Sequence, residues 1–187
     1  MEYVEPIKDI KMIDDIKAIL KNKSRRDYLF FVFGINTGML VSHLLNIKVH
    51  DVFDDDIVNE YYVLNEEKHI DGKHFYINKK VKIALQEYIK EAELNNEDYL
   101  FKSKKNNLPI TRQQAYRIIN NVAREVGIAE KVGTHTLRKT FGYHAYQKGI
   151  AISLLQRVFN HSTRAETLKY IGITKEESFH AKIDVNL

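Results

Sequence analysis

Residues 134–170 read THTLRKTFGYHAYQKGIAISLLQRVFNHSTRAETLKY. Within this helical pattern stand His135, Arg138, His161 and Tyr170, together with further basic groups. Imidazole and guanidinium groups can hold a phosphodiester, and a phenolic oxygen can attack one. His135 and Arg138 are three apart, just inside a helix that Thr134 or Thr136 is expected to cap, so both project from one face. An imidazole and a guanidinium at a helix N-terminus suit an anion. That helix is expected to run to about residue 148, where Gly149 breaks it. Residues 150–158 read as the next helix, 160–162 as a turn. A last helix from Thr163 turns Leu168 inward and carries Tyr170 near its end.

The rest of the chain bounds what this stretch can belong to. At 187 residues it suits one domain with a proper core. No apolar run approaches the roughly 18 residues needed to span a bilayer, and the start lacks the apolar segment of a signal peptide. With no cysteine, disulfides and thiolate metal sites are excluded. Together these readings predict a cytoplasmic protein that meets no membrane. The net charge of +4 is modest, but its distribution is uneven. Residues 1–100 hold 14 Lys/Arg against 19 Asp/Glu, whereas residues 101–187 hold 15 against 6. A basic half of this kind fits a polyanion surface, although a solvated basic face has the same composition.

Ahead of the basic half the pattern is mostly helical. Residues 7–23 place apolar side chains at 7, 10, 13, 16, 19 and 20, with Asp14 and Asp15 on the wet side. Residues 27–36 are almost continuously apolar and predict a helix central to the core, ended by Thr37 and Gly38. Ser42 is expected to cap a short third helix to about residue 48. Residues 52–78 turn β-branched and aromatic and predict a small antiparallel sheet of two or three strands, with turns at 54–56 and at Asp71-Gly72. Asn78 should cap a helix from 79 to about 92, residues 98–101 suggest a short extended segment, and Thr111 should start another helix that Gly127 ends.

Singly, each candidate has an ordinary reading. The chain has 11 tyrosines and eight histidines, most of which must be packing or surface groups. A zinc site needs ligands at short, grouped spacing, and His135 and His144 lie nine apart with no close partner, so no metal is expected.

Taken together the residues resemble the catalytic domain of the tyrosine recombinases, the phage-integrase family. The family's H-x-L-R box is similar to His135-Thr136-Leu137-Arg138, followed by Lys139-Thr140-Phe141-Gly142-Tyr143-His144. Its second box is similar to Phe159-Asn160-His161-Ser162-Thr163 and then Thr167-Leu168-Lys169-Tyr170, with the tyrosine nine residues after the histidine. The resemblance extends from the first helix through Tyr170. It implies a mainly α fold with a small antiparallel β-sheet (α+β), residues 1–187 as one catalytic-type domain, 171–187 as a C-terminal tail, and no separate N-terminal DNA-binding domain.

The activity implied by that resemblance is site-specific recombination or integration of double-stranded DNA. Tyr170 would attack a phosphodiester to give a 3′-phosphotyrosine link and a free 5′ hydroxyl, with no cofactor. Arg138, His135 and His161 would hold the phosphate, and a lysine on the β-hairpin would protonate the leaving oxygen. Lys68 fits that position best and Lys73 is the other candidate. In relatives the C-terminal tail docks on a neighbouring subunit, which implies a homo-oligomer on DNA. One family element departs: the segment resembling T-G-L-R-x-S-E-L-L stands here as Thr37-Gly38-Met39-Leu40-Val41-Ser42-His43-Leu44-Leu45, with Leu40 where the family has its first arginine. Losing one preorganised oxyanion donor costs about 10²–10³ in rate, and losing an arginine clamp on a phosphoryl group about 10³–10⁵. His43 is the nearest replacement cation in sequence. Two expectations follow: a recombinase-type enzyme with impaired cleavage, or a catalytically inactive DNA-binding regulator derived from one.

Overall fold

A computed structural model describes residues 4–54, 57–64, 73–174 and 177. Eight α-helices, one short 3-10 helix (Val49–Asp51) and four short strands follow one another among them. Helix α1 (Ile10–Lys23) is capped by the Asp9 carboxylate, which accepts the Lys11 N–H at 2.7 Å. Its buried stripe is Ile13, Ile16 and Leu20; Ile7 is buried ahead of the helix, and Ile10 is 63% exposed. Helix α2 (Arg25–Thr37) starts from Ser24 and buries Phe30, Phe31 and Phe33 completely, each worth about 1.5–3 kcal/mol relative to exposure. It packs against α1, α4 and α6, which makes it the axis of the main core.

Gly38 ends α2 in the left-handed conformation, φ +65°. A side chain there would also collide with the Phe141 ring. The next helix, α3 (Val41–Leu45), is shorter than expected, and Ser42 does not cap it. Leu40 occupies the N-cap position, where its hydrocarbon side chain can accept no N–H, and Ser42 lies inside the first turn.

The strands also depart from the single sheet expected. Strand β1 (Phe53–Asp54) pairs antiparallel with β2 (Ile57–Val58), and β3 (Tyr61–Leu64) pairs antiparallel with β4 (Lys73–Tyr76), as two separate two-stranded sheets. In the second pair Tyr62 and Phe75 face the core, and Tyr61 and Tyr76 face outward. The Asp71-Gly72 turn and Lys68 lie outside the described residues, as does most of the tail beyond Thr174.

Asn78 caps α4 (Lys79–Glu91) by accepting the Val81 N–H, and its amide reaches Asn36 of α2 at 2.8 Å. The extended segment expected at 98–101 amounts to isolated bridges, Lys48 with Tyr99 and Lys102 with Pro109. Thr111 and Gln114 form a capping box on α5 (Arg112–Glu125). Three helices close the described fold: α6 (Thr134–Gln147), α7 (Ile152–Phe159) and α8 (Arg164–Tyr170). Helix α7 starts at Ile152 rather than 150, with Ile150 left 44% exposed in the preceding loop.

Buried residues of α7, Ile171 and Ile173 form a second, smaller apolar cluster, against which Phe141, Leu168 and Tyr170 pack. Gly142 lets α6 approach it, since a Cβ there would run into Ile171 and Phe159. The residues singled out in 134–170 thus lie where the main core meets this second cluster.

Candidate active site

Helix α6 begins at Thr134, so neither threonine expected to cap it holds the cap position. Gly133 holds the cap position in an extended conformation, and the Thr136 hydroxyl accepts its N–H at 3.0 Å. Thr136 therefore secures the first turn from inside the helix. One turn on, Arg138 is only 6% exposed.

The guanidinium of Arg138 donates to the carbonyl of Gly38 and, at 3.2 Å, to that of Val158. Its carbon sits 4.6 Å from the centre of the Phe159 ring. No carboxylate among the described residues pairs with it. Burial pulls its pKa down and the nearby Tyr170 phenol acts in the opposite sense. An arginine remains charged in a protein, so a buried cation is held here by neutral oxygens and an aromatic face. A buried charge without a counter-charge is costly, and an incoming anion would relieve it.

Tyr170 closes α8 with its ring edge-on to His161, the centroids 4.8 Å apart, and 5.3 Å from that of Phe159. Burial raises the pKa of its phenol while Arg138 opposes the rise. The hydroxyl is therefore protonated near neutral pH and must lose its proton to attack. His161 Nδ1 lies 3.1 Å from the Thr167 hydroxyl oxygen. Its pKa is lowered mainly by burial, with Glu166 opposing and Arg138 reinforcing. His135 is half-buried, and its pKa is lowered first by burial and then by Arg112, Arg138 and Lys139.

Lys73 reaches this group from the start of β4. Its ammonium donates to the carbonyl of Val158 at 2.8 Å, the oxygen that also accepts from Arg138. Leu40, half-buried, borders a cavity of about 20 Å³ that is also lined by Ser42, Arg112, His135 and Arg138. One water fills such a space. His43 is not among the lining residues, whereas Arg112, exposed at the first position of α5, is.

Several participants carried no role in the sequence reading. Phe159 and Thr167 stood only as letters of a motif, and Arg112 only as helix charge. Lys139 is 6% exposed, donates to the Val4 carbonyl at 2.8 Å and lies 5.1 Å from the centre of the Tyr170 ring. Its unusual burial has no sequence signal beyond its place one residue after Arg138. Among the described residues no group of three or more His, Asp or Glu could hold a metal ion. A larger groove, about 910 Å³, lies between the N-terminal segment and α8 and is lined by none of His135, Arg138, His161 or Tyr170.

The model of the phage integrase family matches residues 10–177. The chain is 42% identical over 176 residues to a Bacillus subtilis (strain 168) protein described as "Probable integrase/recombinase YoeC", covering 94% of this chain and 93% of that protein. In three dimensions it resembles XerA recombinase with a TM-score of 0.76 at 20% identity, over 95% of this chain and 62% of the other. It also resembles XerH site-specific recombinase in a post-cleavage complex with a difH substrate, TM-score 0.72 at 20% identity, over 97% of this chain and 53% of that one. The chain thus spans less than two thirds of each of these recombinase structures.

Proposed function

Because the chain belongs to the phage integrase family, we propose that it acts on double-stranded DNA in the cytoplasm as a site-specific recombinase or integrase with a slowed cleavage step. The observation that carries this reading is the buried, carboxylate-free Arg138 gathered with Tyr170 around the Phe159 ring. A phosphodiester entering there meets a nucleophile and the cation that stabilises its developing charge.

In the proposed reaction the Tyr170 oxygen bonds to phosphorus as the bond from phosphorus to the 5′ oxygen breaks. The phenolic proton leaves to a base, and the 5′ oxygen takes a proton from a lysine. The phosphodiester energy is retained in the phosphotyrosine, so rejoining is the same step reversed, without water or cofactor. Lys73 is the candidate donor whose position is described, and Lys68 remains the alternative. His135 and Arg138 contact nonbridging oxygens. Leu40 supplies neither a hydrogen bond nor charge, and Arg112, beside the same cavity, is better placed than His43 to offset part of that loss.

The second reading, a DNA-binding regulator that no longer cleaves, is favoured by Leu40 alone. A nicked suicide duplex carrying the chain's attachment site separates the two. The enzyme reading expects a covalent adduct that vanishes in Tyr170→Phe; an adduct seen only after Leu40→Arg identifies the parent as the regulator. If neither protein shifts duplex DNA at low salt, where phosphate contacts are strongest, both readings fail. We further propose that residues 171–187 join copies into a homo-oligomer on DNA. Truncation after Thr174 should then lower the number of copies bound per site, measured by native mass spectrometry.

A further inference from the structure

His161 and Thr167 stand six residues apart, on either side of the turn that leads into α8. The Thr167 hydroxyl oxygen has two neighbours at 3.1 Å, the His161 Nδ1 and the carbonyl oxygen of Thr163. Thr167 is fully buried, so no solvent competes for either contact. A hydroxyl carries a single proton. If that proton pointed at the imidazole, the 3.1 Å approach to the Thr163 carbonyl would set lone pair against lone pair. If it points at the carbonyl, as threonine inside a helix commonly does with the residue four before it, the oxygen accepts from His161 and both contacts are hydrogen bonds. The Thr163 carbonyl also accepts the Thr167 backbone N–H at 3.2 Å, so the second arrangement is preferred because it alone turns both 3.1 Å contacts of the hydroxyl into hydrogen bonds.

We propose that Thr167 is a positioning residue that keeps a proton on Nδ1 of His161, so that the neutral ring presents Nε2 as a lone-pair acceptor beside Tyr170. The consequence for chemistry rests on the reaction proposed above. While neutral, His161 accepts a proton and cannot donate one from Nε2. When the Tyr170 oxygen bonds to phosphorus, its proton passes to Nε2. The resulting imidazolium keeps its Nδ1–H on Thr167 and gains an Nε2–H able to donate to a phosphate oxygen. Rejoining returns that proton to the phenol. Partial burial lowers the pKa of the ring from the ordinary imidazole value, which favours a neutral resting state. Arg138 and Tyr170 are the other ionisable groups close to it, with Glu166 at the mouth of the turn.

The test does not depend on catalysis. In protein labelled with ¹⁵N-histidine at pH 7.5, long-range ¹H–¹⁵N spectra should show His161 with a pyrrole-like Nδ1 and a pyridine-like Nε2. Thr167→Ser should keep that pattern. Thr167→Val, of nearly the same shape, should move it toward the Nε2-protonated form that free histidine prefers. An Nε2-protonated His161 in the parent overturns the proposal, as does an unchanged pattern in a folded Thr167→Val. The activity arm is read in a Leu40→Arg background, where Thr167→Val should slow adduct formation at least tenfold and Thr167→Ser restore it. The Nδ1-protonated pattern without an adduct on any duplex would sustain the proton assignment and remove the recombinase reading. The reverse result would remove the assignment and leave the enzyme.

Discussion

Lys73 and Arg138 donate to one carbonyl oxygen, that of Val158, at 2.8 and 3.2 Å. A strand and a helix far apart in sequence thus bring two cations to the end of α7. Like charges so close repel unless an anion lies near them. If Lys73 is the proton donor, Lys73→Ala in a Leu40→Arg background should reduce adduct formation by about 10²–10⁴ on an ordinary 5′-oxygen leaving group. A 5′-thiol leaving group needs no proton and should restore most of the rate. The same pattern in Lys68→Ala, with Lys73→Ala unaffected, would move the role to Lys68.

Leu40 faces the small cavity beside His135 and Arg138. Leu40→Arg should therefore place a guanidinium where phosphate charge develops and raise the adduct-forming rate by about 10²–10³. Single-turnover kinetics on nicked duplex give the ratio, and a rate unchanged by the substitution would show that Leu40 is not the limiting feature.

Gly142 touches the second apolar cluster where Phe159 and Ile171 leave no room for a side chain. Gly142→Val should cost about 1–3 kcal/mol through overpacking, read from urea denaturation. Because Phe159 also lies under Arg138, adduct formation should fall along with stability. A stable variant with full activity would contradict this packing.

Arg112 makes no ion pair with any described residue and stands at the exposed edge of the site. As a phosphate contact it should weaken DNA binding evenly across sequences when replaced by alanine. The slope of log Kobs against log salt should shrink by about 1. An unchanged slope would exclude a direct phosphate contact.

His135 and His161 both have pKa values held below the ordinary imidazole range, chiefly by burial. The unfolded chain therefore binds more protons than the folded one as pH falls. Stability is fully present above the unfolded value of about 6.5 and is lost as pH drops toward the depressed folded values. Melting temperature should decline below that point, and the double variant His135→Gln, His161→Gln should flatten the decline.

Much of the fold was legible because it rests on local regularities. The apolar run in α2, the Asn78 and Thr111 caps and the glycines that end helices each act within a few residues. The errors also have local causes. Ser42 looked like a cap from its type, yet it falls inside α3. Threonines 134 and 136 looked like caps, but the chain turns at Gly133, and Thr136 bonds back from within the helix. Four strands of two to four residues carry too little alternation to reveal that they form two pairs.

The sequence by itself singled out the candidate nucleophile, cation and two imidazoles through a family resemblance, because a motif is a matter of spacing and spacing is what a chain records. It also placed Leu40 where that resemblance expects an arginine, since the residue type at one position is a matter of composition. Only the tertiary structure decided which groups meet. It brought Lys73 to Val158, set Arg138 against Gly38 across 100 residues of chain, placed Arg112 beside Leu40 and seated His161 on Thr167. The physical reason is that hydrogen bonds and charge neutralisation depend on distances of about 3 Å. Such distances arise only when separate helices bury their apolar faces together, and no local pattern records them.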